Sequence, residues 1–151
     1  MKQFQFSLNT VLDVRTNEET KAAEAHGAAQ EALEAVLLQR RLVEEAIESN
    51  LAACQQAFDG QVESSTIAHL QAALKELRAQ LEAFEPEVNR LQAEADAKWA
   101  ELLTARQRRE ALEKLKDKQQ TAHAKAEEKQ EQQAIDEMVL LREAAGLNHK
   151  L

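Results

Sequence analysis

Two groupings in this chain have residue types suited to metal or nucleophile chemistry. His123 and Glu127 stand one helical turn apart, a spacing that presents two side chains to one zinc ion. A structural zinc takes four protein ligands and a catalytic zinc three, however. His26, His69 and His149 have no second histidine or cysteine at helical metal spacing. Ser64, Ser65 and His69 bring hydroxyls and an imidazole close together, the raw material of a nucleophile and its base. The serines follow Asp59-Gly60, where a helix start is due, and capping accounts for them. Cys54, the only thiol, has no internal disulfide partner and fits a small buried apolar site in a reducing compartment. Gly27, Gly60 and Gly146 are too scattered to build a phosphate-cradling loop. The chain reads as a non-enzyme, with no catalytic, cofactor-binding or metal residue assigned and no cofactor expected.

The elements carrying these residues are set by composition and period. Ala, Glu, Leu, Lys and Arg make up 89 of 151 residues, the profile of long helices and coiled coils. One proline, three glycines, four phenylalanines and no tyrosine leave little turn chemistry for a sheet and little bulk for a large core. The net charge of −8 repels nucleic acid and anionic lipid. No apolar run is long enough to span a membrane, and the opening residues lack the apolar core of a signal peptide. A cytoplasmic protein is expected.

Apolar residues recur at alternating steps of four and three in each half. The first seam runs Leu8, Leu12, Arg15, Glu19, Ala22, His26, Ala29, Leu33, Val36, Arg40, Val43, Ile47, Asn50, Cys54, Ala57, widened by Leu37, Leu51 and Phe58. The second runs from Ile67 through Leu70, Leu74, Leu77, Leu81, Phe84, Val88, Leu91, Ala95, Lys98, Leu102, Ala105 and Arg109 to Leu112. Asp59-Gly60 separates them. Gly60 suits a left-handed helix end, and Ser64, Ser65 or Thr66 offers the next cap. Ser7 or Asn9 offers a cap for the first helix. The reading is an all-α, elongated two-helix antiparallel coiled-coil hairpin, monomeric in isolation. It forms one domain over 1–151: a helix at 8–58, a turn at 59–65 and a helix at 66–142, kinked near Pro86. The alternative at Pro86 is a break, with a new helix starting there.

Residue i should face about 123 − i in this hairpin. The first helix is about 76 Å long and the second about 115 Å, so roughly 40 Å overhangs. Beyond Leu115 the seam fades into polar residues and alanine, before Ile135, Met138, Val139, Leu140 and Leu141 and an end at Gly146. Arg15, Glu19, His26, Arg40, Lys98 and Arg109 put charge on the seams. Their stems can pack while their heads reach water, or they can disfavour parallel dimers. Trp99 adjoins the second seam and reads as core packing. Leu38 and Leu42 form an outward row suited to a partner. Residues 106–118 carry six basic and three acidic groups, a band suited to an acidic protein surface. Without interleaved aromatics it does not suit nucleic acid.

The opening pattern Phe4-x-Phe6-x-Leu8-x-x-Val11-Leu12-x-x-Arg15-x-x-x-Glu19 resembles that of the flagellar type III export protein FliJ family. The stretch Arg109-x-x-Leu112-Glu113-Lys114-Leu115-Lys116, then Glu131-Gln132 and Asp136-Glu137, resembles the family's C-terminal part. The resemblance implies a cytoplasmic stalk, peripheral to the membrane-embedded export apparatus. Its hairpin enters the pore of the hexameric export ATPase, bridges it to the export-gate membrane protein and meets export chaperones. On that footing Leu38 and Leu42, with Leu74, Leu77 and Leu81, are expected at the gate. Arg106, Arg108, Arg109, Lys114 and Lys118 are expected at the ATPase ring. The alternatives are the equivalent stalk of a virulence type III system and a self-associating coiled-coil scaffold.

Overall fold

The computed structural model describes residues 2–60 and 62–149, with side chains to residue 146. Gln61, inside the expected turn, the His149 side chain and the last two residues lie outside the described set. Among the described residues there are two helices, α1 (Asn9–Asp59) and α2 (Ser64–His149), and no strand. The chain is an all-α, two-helix antiparallel coiled-coil hairpin. Its packing divides into two compact units, Glu19–Thr104 and Met1–Glu18 with Ala105–Leu151.

In the Glu19–Thr104 unit every seam position of both helices is buried or half-buried. Leu33, Cys54, Ala57, Leu91, Ala95 and Leu102 are the most enclosed, and Ala95 at 2% exposure marks a close helix approach. The charged seam residues keep their stems in the interface and turn their heads to an acid on the same helix. Arg40 reaches Glu44 at 3.7 Å and Lys98 reaches Glu101 at 3.5 Å. Cys54 donates to Asn50 Oδ1 at 3.4 Å, which gives the polar seam position Asn50 a partner inside the interface. His26 lies against Trp99, ring centroids 5.2 Å apart. That contact agrees with the expected pairing of His26 near Ala97, and Trp99, 42% exposed, flanks the seam rather than filling the core. Leu37 widens the stripe as expected. Leu51 and Phe58 do not: they are 44% and 65% exposed.

The turn differs from expectation in its mechanism. No glycine or other residue among those described has a positive φ, so Gly60 does not end α1 by a left-handed cap. Instead its N–H donates to Gln56 O at 3.0 Å, and Val62 N–H donates to Gly60 O at 3.0 Å. A Cβ at Gly60 would lie 3.2 Å from Gln56 O, a tight approach to backbone that glycine avoids. The cap of α2 is Glu63, not a serine or Thr66: its carbonyl accepts from Thr66 and Ile67. Leu8, rather than Ser7 or Asn9, supplies the first carbonyl of α1, to Leu12 N–H at 2.9 Å.

α2 runs past residue 142 and through Gly146, which does not stop it. It also runs uninterrupted through Pro86. Pro86 is exposed, so the carbonyl one turn earlier that loses its N–H partner is on the watered side. Pro86→Ala is therefore expected to raise the thermal midpoint, by about 1–3 kcal/mol of stability, since proline is the worst helix-interior residue. Circular dichroism melts check it; an unchanged midpoint would mean α2 gains nothing from the restored N–H.

Candidate functional site

With no enclosed chemical centre assigned, the functional question is which surfaces are open to partners. In the Glu19–Thr104 unit, Leu38 and Leu42 project into water at 59% and 57% exposure. Arg41 and Glu45, paired at 3.6 Å, flank them. Leu74, Leu77 and Leu81 are half-buried on the α2 seam, so packing between the helices takes up part of each. The row open to a partner is thus Leu38 and Leu42.

In the other unit the basic band splits by side. Arg109 is a seam residue, its side chain 21% exposed, and it pairs with Glu113 at 2.6 Å and Glu110 at 3.8 Å. Arg106 is half-buried and engaged as well. Arg108, Lys114 and Lys118 are exposed, and Lys118 edges a shallow groove with Asp117, Thr121, Ala122 and Lys125. Of the five cations expected at the ring, those three are the exposed ones.

The same unit holds a feature absent from the helical reading. Residues 2–8 precede α1 and lie along α2 as an arm. The Phe6 side chain is buried, and the Phe4 ring packs on His123 with centroids 5.6 Å apart. His123 Nε2 lies 3.8 Å from Glu127 Oε1, and Lys2, His123, Ala126, Glu127, Gln130 and Glu131 line the groove between arm and helix. Lys116, His123 and Glu127 are half-buried as a result. The pair that resembled two zinc ligands is the seat of the arm. Alternation of Phe4 and Phe6 around Gln5 was the one sequence signal for this extended piece, since successive side chains of an extended chain point opposite ways. Among the described residues no group of three or more His, Cys, Asp or Glu could hold a metal ion.

Past the arm, every residue from 131 to 146 is exposed. Ile135, Met138, Val139, Leu140 and Leu141 are 49–70% exposed. At 3.6 residues per turn these five take in all sides of α2.

The family model described as Flagellar FliJ protein matches residues 4–145. The chain belongs to the FliJ family. The match takes in the arm from Phe4, both helices and the apolar end of α2, and it makes the chain a type III export protein. Among solved structures, one described as a YscO homolog, CT670 of Chlamydia trachomatis, is 22% identical. It covers 92% of this chain and 94% of its own, at a TM-score of 0.45. No curated protein matches the sequence. No helix among the described residues is long and apolar enough to cross a membrane.

Proposed function

We propose that this FliJ-family chain is a non-enzymatic stalk of the flagellar export apparatus, cytoplasmic and held peripherally at the membrane. One end of it enters the pore of the hexameric export ATPase, and the Leu38–Leu42 row bridges the ring to the export gate. Export chaperones are further partners by family resemblance. The observation that carries this reading is the end of α2. Five of the seven residues from 135 to 141 are apolar, spread around the helix and exposed, with Asp136 and Glu137 between them, and apolar surface of that kind is stabilised when a partner takes it from water. A ring pore surrounds a helix; a flat surface or a second helix covers one side only. The exposed cations Arg108, Lys114 and Lys118 sit further back, placed to meet acids at the mouth of the ring.

The test is binding of the purified chain to the export ATPase and to the cytoplasmic domain of the gate protein. Leu38→Asp with Leu42→Asp is expected to weaken gate binding about tenfold or more, because apolar anchors dominate interfaces. Helicity and ATPase stimulation should be unchanged. Gate binding at wild-type strength by the folded double variant removes the row from the bridge.

A further inference from the structure

α1 begins at Asn9, and Asn9 shares a groove with Phe4, Gln5, Phe6 and Lys116. Past Lys116, α2 therefore has the arm beside it in place of a helix. Between residues 117 and 130 every side chain of α2 is exposed except His123 and Glu127, and those two line the groove that holds Lys2. Ala105, Arg109, Leu112, Lys116 and His123, all at least half-buried, follow one another in steps of four, three, four and seven. That spacing keeps one face of a helix, so the arm takes over the seam face of α2 where α1 stops. Its length fits the task. Seven extended residues reach about 23–25 Å, and α2 from Lys116 to Glu131 is about 22 Å long.

The covered stretch has little else to hold it. Residues 117–131 are polar or alanine throughout, and a helix without a packed face is marginal in water. The arm brings two aromatic anchors to it. Phe6 is 7% exposed, and the Phe4 ring packs on His123. His123 Nε2 lies 3.8 Å from Glu127 Oε1, which ties the platform under Phe4 to the next turn of α2. Lys2 puts a cation in the groove with Glu127 and Glu131. Ordering seven residues opposes the seating. Lys2, Gln3, Gln5 and Ser7 are exposed, so the two phenylalanines carry the hold.

We propose that residues 2–8 are a splint. Seated through Phe4 and Phe6, they carry helical order along α2 from Lys116 to Glu131, and so position the apolar end that follows. The positioning role rests on the ring reading; the splint itself does not. A splinted helix presents Ile135, Met138, Val139, Leu140 and Leu141 already ordered. A fraying one must be ordered at the moment of binding, and that ordering costs affinity.

Amide hydrogen exchange of the full chain, followed segment by segment, is the test. Phe4→Ser and Phe6→Ser both lie outside α2. Each is expected to speed exchange across residues 117–131 about tenfold or more, the measure of one buried phenylalanine, with the Glu19–Thr104 unit unchanged. His123→Ala gives the deciding sign. Alanine is the best helix former, so a helix held by its own propensity would exchange more slowly in this variant. A splinted helix exchanges faster, because Phe4 loses its platform. Slower exchange in His123→Ala, or unchanged exchange in both phenylalanine variants, overturns the splint. At the export ATPase, the phenylalanine variants are expected to raise the chain concentration for half-maximal stimulation about threefold or more, with the maximum unchanged, since preorganisation acts on affinity. An unmoved half-maximal concentration beside faster exchange overturns the positioning role. If instead a chain ending at Gln133 stimulates like wild type, the ring reading fails while the exchange result stands.

Discussion

Leu33→Asp is expected to unfold the Glu19–Thr104 unit at room temperature, whereas Leu38→Asp, five residues on, leaves it folded. Leu33 is 3% exposed, the most enclosed large side chain of α1. The seam is one side chain deep, and among the described residues no large side chain is enclosed on all sides. Stability is therefore spread thinly over many positions. Truncating a buried leucine to alanine costs about 2–5 kcal/mol, against a total of about 5–15 kcal/mol for a typical domain. A carboxylate at the same place loses that packing and also carries a charge that must be desolvated or left to open the interface. Leu38 is 59% exposed and touches no seam, so its replacement should stay within about 0.5 kcal/mol. Helicity by circular dichroism and the emission of Trp99, the single tryptophan, report the difference. Trp99 packs on His26 and lies in the same unit. Matching melts for the two variants would mean that the seam does not hold the helices together.

The contrast between Leu33 and Leu38 also shows what the sequence makes legible. Both are leucines in one helical run, and only the three-four alternation tells the buried one from the exposed one. That alternation is strict because two helices share a single narrow interface, so each seam position is read independently of the rest of the fold. It tolerates Arg40 and Lys98 because their stems are apolar and a glutamate waits one turn away on the same helix. Period fails where neighbours off the helix decide. The arm has no helical period, so its seat on Lys116, His123 and Glu127 looked like a polar, fading seam. Gly146 looked like a stop, yet glycine costs only about 1 kcal/mol inside a helix, and Leu140 and Leu141 before it are good helix formers. At the candidate surfaces, outward Leu38 and Leu42 were readable from phase. The inward place of Arg109 was readable in the same way, whereas the half-burial of Arg106, which is off the seam, was not. Phe58 was assigned to the stripe from being next to Ala57, but it is 65% exposed, because at the last turn of α1 a flanking position has little of the partner helix left to cover it.

Cutting the chain after Gln133 is expected to abolish stimulation of the export ATPase while both compact units stay folded. The cut removes Ile135, Met138, Val139, Leu140 and Leu141, all of them exposed, so no buried contact of the described chain is lost. It leaves His123, Glu127 and Glu131, and with them the seat of Phe4 and the groove beside Lys2. A longer cut, after Lys118, also deletes His123 and sets the arm free, so it confounds loss of the ring contact with loss of the arm. The two truncations separate the causes. An isolated helix of this length gains little from its own hydrogen bonds and most from what packs around it. Apolar side chains spread around the end of α2 are therefore expected to gain most from a partner that surrounds it, as the proposed ring does. Steady-state hydrolysis by the ATPase with each truncated chain is the measurement, with circular dichroism as the control for folding. If the chain ending at Gln133 stimulates hydrolysis as well as the full chain, the apolar end is not the part inside the ring. The contact would then belong to Arg108, Lys114 and Lys118, and charge reversal at those three would become the decisive substitution.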